Sequence, residues 1–156
     1  MTPPSRLRIL LDSNVIVGGI VARWGLDKAI LSICAARICR LVLPDIVHLE
    51  VERNLSRIAT LLAPDDGAAM VEVYSRFLQL SDAETVPFPD PASELANRHL
   101  IRHRADLPVL LSAMAAKPNW LLTNNTKHFT AAVASRTGLR IATPAEFLRT
   151  LMSVAG

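Results

Sequence analysis

The sequence predicts an α/β fold, a three-layer α/β/α sandwich around a mainly parallel sheet of about five strands. Short apolar runs alternate with longer amphipathic stretches, and each connection between them is only a few residues long. The chain has 156 residues, of which 51% are hydrophobic, and one core can form at this size. No internal repeat or long linker divides it, so we expect a single domain over residues 1–156.

Strands are predicted where a short apolar run ends in polar or turn-forming residues. Such runs lie at residues 8–11, 40–43, 85–88, 120–123 and 140–142. The third run enters a proline-rich segment, and proline donates no hydrogen bond to a sheet. We therefore expect this strand at an edge.

Helices are predicted where apolar residues recur every three or four positions. These stretches lie at residues 24–37, 45–59, 64–80, 92–103, 106–116, 126–135 and from 143 onward. In the last one, Thr143 and Glu146 have the spacing of a capping box, and Pro144 takes the first helical position. Helices thus separate successive strands, as a parallel sheet requires.

Composition and spacing exclude several classes of protein. No apolar stretch approaches the roughly 18 to 20 residues of a membrane-spanning helix. The N-terminal segment meets Asp12 too early to contain the apolar region of a secretory signal, so we expect a cytoplasmic protein. Cys34 and Cys39 follow no zinc or redox spacing and are expected to be core thiols. The formal charge of +3 is compatible with a polyanionic partner.

Polar side chains follow two predicted strands, at residues 12–14 and 123–125. In open parallel sheets, ligands bind outside the carboxyl ends of the strands, so these two groups should be neighbours. Glu50 lies on the helix after the second strand, and Asp106 begins the helix that leads to the fourth. We expect a cluster of Asp12, Glu50 and Asp106, with Asn125 as a neutral fourth member and Asn14, Thr123 and Asn124 in support.

Such a cluster has the chemistry of a divalent-cation site. Mg²⁺ and Mn²⁺ prefer oxygen ligands, commonly carboxylates, and keep waters that substrate phosphates can displace. One cation can activate a water as the nucleophile, and a second can stabilise the leaving oxygen. Phosphodiester hydrolysis then requires no covalent protein intermediate.

These residues resemble the PIN-domain family, in particular the ribonuclease toxins of type II toxin–antitoxin pairs, over nearly the whole chain. Residues 12–14 after the first strand are similar to the family's Asp-x-Asn. Residues 106–113 are similar to its Asp-x-Pro-Val-Leu-x-x-Ala, which is the most specific match. The family's mid-chain glutamate corresponds to Glu50, with Glu52 as the alternative.

The fourth element of the family pattern differs here. Thr-x-Asp is replaced by Thr123-Asn124-Asn125, so an amide stands where the family has an aspartate. An amide offers a neutral oxygen, but the site loses a negative charge and should bind a second cation more weakly. The resemblance implies a Mg²⁺- or Mn²⁺-dependent ribonuclease that acts on RNA, is inhibited by a cognate antitoxin protein and forms a homodimer.

A basic segment at residues 98–104 precedes Asp106. Lys127 and His128 follow the last motif, where they could steady the substrate or the leaving group. Each of these side chains could instead be solvated surface. His99 and His103 have the spacing of a helical metal pair but lack the HExxH context. The candidates for contact with RNA phosphates are Arg98, Arg102, Arg104, Lys127 and His128.

Other interpretations of these residues exist. Asp12 and Asp106 are also typical of helix caps, and Glu50 is typical of a solvated helix face. Asp45 after the second strand resembles the acceptor of a receiver domain, but the acidic pair at the first strand is missing. Asn14 likewise breaks the Asp-x-Asp of haloacid-type phosphatases. The alternative that stays open is a PIN fold that binds RNA or a protein partner without cleavage.

Overall fold

The computed structural model describes residues 6–155. The first five residues of the N-terminal segment and Gly156, at the end of the predicted domain, lie outside the described residues. The strands are β1 (Arg8–Leu11), β2 (Arg40–Pro44), β3 (Glu84–Val86), β4 (Trp120–Leu122) and β5 (Ile141–Ala142). The α-helices are α1 (Ser13–Val21), α2 (Leu26–Ala35), α3 (Asp45–Ala59), α4 (Pro64–Ser81), α5 (Pro91–Ala96), α6 (Leu107–Ala116), α7 (Ala131–Thr137) and α8 (Pro144–Ala155), with short 3₁₀ helices at Arg98–Leu100 and Arg104–Asp106. Over these described residues, no helix is long and apolar enough to cross a membrane.

All five strands run parallel in one sheet, in the spatial order β3-β2-β1-β4-β5. β1 lies at the centre, where Leu10 pairs with Val42 of β2 on one side and with Leu121 of β4 on the other. The predicted edge strand does lie at an edge, as Glu84–Val86 rather than residues 85–88. The α/β class and the parallel sheet expected from the sequence are confirmed.

Helices cover both faces of the sheet. The chain moves from β1 to β3 toward one edge, then returns past β1 to β4 and β5. Right-handed crossovers place the connecting helices on opposite faces for these two directions. Helices α1 to α4 pack against one another, while α6 packs against β2 and β3. Ile9, Leu10 and Leu11 are completely buried between the layers, which explains why β1 is a continuous apolar run.

Helix α1 was not expected from the sequence. It contains Gly18 and Gly19 among mostly β-branched residues, all of which are weak helix formers. Tertiary packing supports it instead, because Gly19 lets Leu31 of α2 lie directly against its backbone, where a Cβ would overlap that side chain. Asp12 caps the helix by accepting a hydrogen bond from the backbone N–H of Ser13 at 2.9 Å.

The helix predicted over residues 92–103 is wrong in its second half. α5 ends at Ala96, and the next turn is a 3₁₀ helix at Arg98–Leu100. The adjacent residues Leu100 and Ile101 are both buried, and Ile101 is extended. The extended backbone at Ile101 interrupts the helical path, so no helix continues to His103.

The helix predicted over residues 126–135 begins later, at Ala131. The side chain of Thr130 caps α7 by accepting a hydrogen bond from the N–H of Val133 at 3.3 Å. Upstream, the N–H of Phe129 donates to the carbonyl of Asn125 at 3.0 Å and closes a separate turn. This turn, rather than a helix, carries Lys127 and His128.

Two other helices, α2 and α8, agree with the prediction from the sequence to within about two residues at the ends compared. α2 spans Leu26–Ala35 instead of 24–37, after Gly25 with its φ of 124°. At α8 the predicted capping box is confirmed: the N–H of Glu146 donates to Thr143 Oγ1 at 3.2 Å, and the N–H of Thr143 donates to Glu146 Oε1 at 3.3 Å.

At the amino end of the sheet, one arginine joins three elements. Arg8 Nε and Nη2 donate to the two carboxylate oxygens of Glu84 at 2.9 and 2.7 Å, which links β1 to β3 across β2. Nη1 and Nη2 also donate to the carbonyls of Lys117 and Ala116, at the end of α6. The two bonds from Arg8 to the carboxylate hold the pKa of Glu84 below its ordinary value. We refer to this group as the Arg8 clamp.

Candidate active site

The carboxyl ends of β1 and β4 meet at the centre of the sheet. A backbone hydrogen bond joins the two ends, because the N–H of Asp12 donates to the carbonyl of Leu122 at 2.9 Å. On the other side of β4, the N–H of Thr123 donates to the carbonyl of Ala142 in β5 at 3.0 Å. The chain leaves these two strands in opposite directions, and such a switch point opens a crevice. The polar residues predicted at the two strand ends therefore lie side by side.

Asp12 is buried in this crevice, with 5% of its surface exposed. Its Oδ2 accepts hydrogen bonds from Thr123 Oγ1 at 2.7 Å and from Asn14 Nδ2 at 3.1 Å, while its Oδ1 accepts from the N–H of Ser13. The capping role considered from the sequence is real, but the other two donors do not belong to a cap. Three donors thus fix one buried carboxylate.

A chain of polar contacts extends this arrangement to α2. Asn14 Oδ1 accepts from the N–H of Asn124 at 3.0 Å, and Asn124 Nδ2 donates to Asp27 Oδ1, also at 3.0 Å. Asp27 lies so close to Gly18 of α1 that a Cβ at Gly18 would overlap its Oδ2. The predicted supporting residues Asn14, Thr123 and Asn124 are all brought together, with Asp27 as an unforeseen fourth.

Glu50, on the middle of α3, faces Asp12 and Asp106. It is partly buried, and the charges of both aspartates act on it. Glu52 points elsewhere: it is exposed and lies 3.2 Å from His48 Nε2, while His48 Nδ1 contacts the hydroxyl of Tyr74 at 2.7 Å. Of the two candidates on α3, the geometry favours Glu50.

Asp106 ends the 3₁₀ helix before α6, and its side chain makes no capping hydrogen bond. Its Oδ2 lies instead 2.6 Å from His128 Nδ1. The side-chain amide nitrogen of Asn125 lies 2.9 Å from the same His128 atom. The interpretation of Asp106 as a simple helix cap is therefore wrong. His128, a candidate RNA contact, is joined to the acidic cluster directly.

The other predicted basic residues include two that line a cleft beside the start of α6. Arg98 and Arg104 line a shallow cleft of about 320 Å³ together with Glu94 and Leu107. Arg102 and Lys127 are exposed. Two arginines thus share a cleft with Leu107, the residue that follows Asp106.

The electrostatics of the site reflect burial and mutual repulsion. Burial raises the pKa of Asp12, and the charge of Asp106 raises it further, against the hydrogen bonds from Thr123, Ser13 and Asn14. Burial also raises the pKa of Glu50, as do the charges of Asp12 and Asp106, while Ser13 and Arg53 act in the opposite direction. A positive ion among these acids would relieve both effects.

The donor set suits a hard cation, because Asp12, Glu50 and Asp106 supply carboxylate oxygens and Asn125 supplies an amide. These acids influence one another electrostatically. Within residues 6–155, however, no three His, Cys, Asp or Glu side chains already lie close enough together to hold a metal ion. The chemistry of the residues fits a divalent cation that would draw the carboxylates together.

Solved structures of several proteins share this architecture. VapBC2 from Rickettsia felis, bound to a DNA fragment from their promoter, matches with a TM-score of 0.59 and 20% identity, covering 88% of this chain and 98% of that one. FitAcB from Neisseria gonorrhoeae matches with a TM-score of 0.62 and 21% identity, covering 87% and 97%. The chain has a PIN-type fold. PAE2754 from Pyrobaculum aerophilum matches with a TM-score of 0.63 and 14% identity, covering 92% and 88%.

Among the comparisons with known proteins, those with solved structures show the PIN-type fold. No protein-family model matches the sequence, and no curated protein matches it as a relative. At identities of 14% to 21%, the likeness to these solved structures shows the fold alone.

Sequence reasoning missed two residues next to the cluster, Asp27 and His103. Asp27 follows the unpredicted α1, so nothing local indicated that it would reach Asn124. The His103 ring stacks on His128, with centroids 3.5 Å apart. The sequence had suggested His103 only as one half of an unsupported helical metal pair with His99. Its position between two arginines in a basic segment was the available signal.

Proposed function

We propose that this chain is a divalent-metal-dependent endoribonuclease and the toxin of a toxin–antitoxin pair. The observation that carries the proposal is the buried carboxylate of Asp12, held by three donors and acted on by the charge of Asp106. Burying a charge that is not neutralised is costly, so such a group is a candidate functional site. Its place at the switch point of a parallel sheet supports the same conclusion.

Asp12, Glu50 and Asp106 are the residues that would hold Mg²⁺ or Mn²⁺, with Asn125 as a neutral neighbour. A bound cation would offset the repulsion among these acids and the charge of the phosphodiester, and would supply an activated water. Thr123, Asn14 and Ser13 keep Asp12 in one orientation. His128 does the same for Asp106.

The charges around the site favour RNA as the substrate. Arg98 and Arg104 share a cleft with Leu107, the residue after Asp106. Arg102 and Lys127 are exposed, and each is close in the sequence to a residue of the site. Such groups bind phosphates and make affinity dependent on salt. They would hold the RNA backbone while the acids act on one phosphate.

An antitoxin partner is proposed from the neighbours and from one surface. The matching structures include toxin–antitoxin complexes such as VapBC2. An apolar groove of about 200 Å³ between α1, α2 and α4 is lined by Ile20, Leu31, Val73, Phe77 and Leu80. A helix with an apolar face would suit it. A homodimer is proposed on the resemblance alone, and light scattering of the purified chain tests it.

Cleavage of single-stranded and structured RNA by the purified chain tests the activity. We expect cleavage with Mn²⁺ or Mg²⁺ and none with EDTA, and we expect Asp12→Asn and Asp106→Asn to abolish it. Asp65→Asn is the matched control, because it removes an exposed acid from the first turn of α4. Equal cleavage by the wild type and both site variants would show that the acids do not carry the reaction.

The second candidate function, binding without cleavage, is favoured by Asn125, which lacks the charge of the family's fourth acid. In that case RNA affinity would survive both aspartate substitutions and EDTA, and no product would form with any cation. Gel electrophoresis of the same RNA after incubation with each variant distinguishes the two functions.

A further inference from the structure

The imidazole ring of His103 stacks on that of His128 beside the acidic cluster. The ring centroids are 3.5 Å apart, and the planes are inclined by 19°. His128 contacts Asp106 at 2.6 Å, so one ring separates His103 from this carboxylate. We propose that His103 is the stacking surface for an unpaired RNA base next to the cleaved phosphate, an inference that rests on the proposed function.

The backbone holds His103 at a fixed place relative to Asp106. The N–H of Asp106 donates to the carbonyl of His103 at 3.0 Å and closes one tight 3₁₀ turn. The flanking residues Ile101 and Leu107 are 3% and 2% exposed, so both ends of the turn are anchored in the core. His103 is therefore tied to the acid twice, through its own carbonyl and through His128.

His103 is exposed to solvent although its ring is stacked. One face lies against His128, which leaves the other face for a ligand. Proteins bind unstacked bases by placing aromatic or imidazole rings against them, and every base has a face that suits this contact. A planar base is the ligand that this surface fits.

Charge around the ring supports a nucleotide rather than a neutral ligand. Arg102 and Arg104 flank His103 in the chain, and all three residues are exposed. Arginines on either side of a stacked base can bind the phosphates that precede and follow it. Paired RNA keeps its bases stacked on one another, so only a loop, bulge or single strand can use this surface.

The test measures binding by the full chain without cleavage. The Asp12→Asn variant in EDTA is titrated with an RNA hairpin that carries 2-aminopurine in its loop, and with a duplex of the same composition. Adding His103→Ala should weaken hairpin binding about tenfold, the loss expected for one stacked base. Duplex binding should change by less than about twofold, because it depends on phosphate contacts. Quenching of the 2-aminopurine should be lost with the same substitution.

Two further variants separate stacking from packing. His103→Phe keeps a flat ring and should restore hairpin affinity and quenching. His99→Ala, an exposed histidine of the same basic segment, should leave the ratio of hairpin to duplex affinity unchanged. A ratio unaffected by His103→Ala would overturn the inference. Failure of His103→Phe to restore the ratio of hairpin to duplex affinity would also overturn it, because His103 would then have only a packing role. Binding of neither RNA by the Asp12→Asn parent would also overturn the inference, whereas the proposed function is tested separately by the Mn²⁺-dependent cleavage assay.

Discussion

His128 Nδ1 lies 2.6 Å from Asp106 Oδ2, across a separation of 22 residues in the chain. This contact joins the turn after β4 to the start of α6. It engages Oδ2 of Asp106, and Oδ1 is the oxygen that would bind the proposed cation. Hydrogen-bonded partners of metal-binding carboxylates orient them and strengthen the site.

Replacement of His128 should therefore loosen the metal site. We expect His128→Ala to weaken Mn²⁺ binding about tenfold, because Asp106 loses its orienting partner. Isothermal titration calorimetry with Mn²⁺ measures the change, and His99→Ala is the control for loss of a histidine near the site. Tighter binding by His128→Ala would mean that the histidine competes with the cation.

Restoration of the fourth acid should have the opposite effect. Asn125→Asp adds a negative charge beside His128, and we expect it to strengthen Mn²⁺ binding about tenfold, because affinity rises with the number of charged ligands. A second Mn²⁺ equivalent should also appear in the titration. Asn119→Asp is the matched control: it makes the same change at the other end of β4, where Asn119 Oδ1 accepts from the N–H of Arg8. An unchanged affinity would contradict the role given to Asn125.

The stability of the metal-free chain should depend on pH through the buried acids. Burial raises the pKa of Asp12 and Glu50 above their ordinary values of 3.8 and 4.5. The folded state then retains protons that the unfolded chain has released, so the free energy of unfolding should fall as the pH rises from these values through the raised ones. Urea unfolding in EDTA at several pH values measures this slope.

Glu50→Gln is the comparison for that slope. The variant should lose less stability than the wild type as the pH rises, because its side chain no longer ionises. Saturating Mn²⁺ should reverse the sign of the wild-type slope, since cations bind the deprotonated acids. Identical slopes for the wild type and Glu50→Gln in EDTA would argue against a raised pKa of the Glu50 carboxyl.

Gly18 and Asp27 should behave as a coupled pair. An alanine at Gly18 would improve the helix by about 1 kcal/mol but would displace Asp27, which overlaps the new Cβ. Asp27 would then lose its bond to Asn124, at a cost of about 1 kcal/mol. In an Asp27→Ala background only the gain should remain. Urea unfolding of the four proteins gives the coupling, and additive effects would mean that Asp27 moves freely.

Much of this fold could be predicted because burial leaves a strong local pattern. β1 and β4 are short apolar runs that end abruptly in polar residues, and those residues do meet at the sheet centre. The capping box at Thr143 also lies within one turn of the chain. Features set by neighbours in sequence were therefore accessible, and so was the meeting of strand ends that a parallel sheet requires.

Features set by side-chain packing between distant segments were not accessible. α1 is helical because α2 packs on Gly18 and Gly19, and no local propensity reveals this. His128 and Asp106 are 22 residues apart, so their contact depends on where the turn after β4 falls. The predicted helix over residues 126–135 would have replaced the turn that places His128 beside Asp106. The metal and RNA roles of these residues stay predictions for the experiments above.

The Arg8 clamp lies at the amino end of the sheet, and the acidic cluster lies at the carboxyl end. Arg8 joins Glu84 of β3 to the end of α6, whose beginning carries Asp106. The stabilising contacts of Arg8 and the acidic cluster thus lie at opposite ends of β1 and α6. Stabilising changes often reduce activity when they fall at an active site. Strengthening the amino end of this sheet should instead raise the melting temperature without moving the residues of the proposed site.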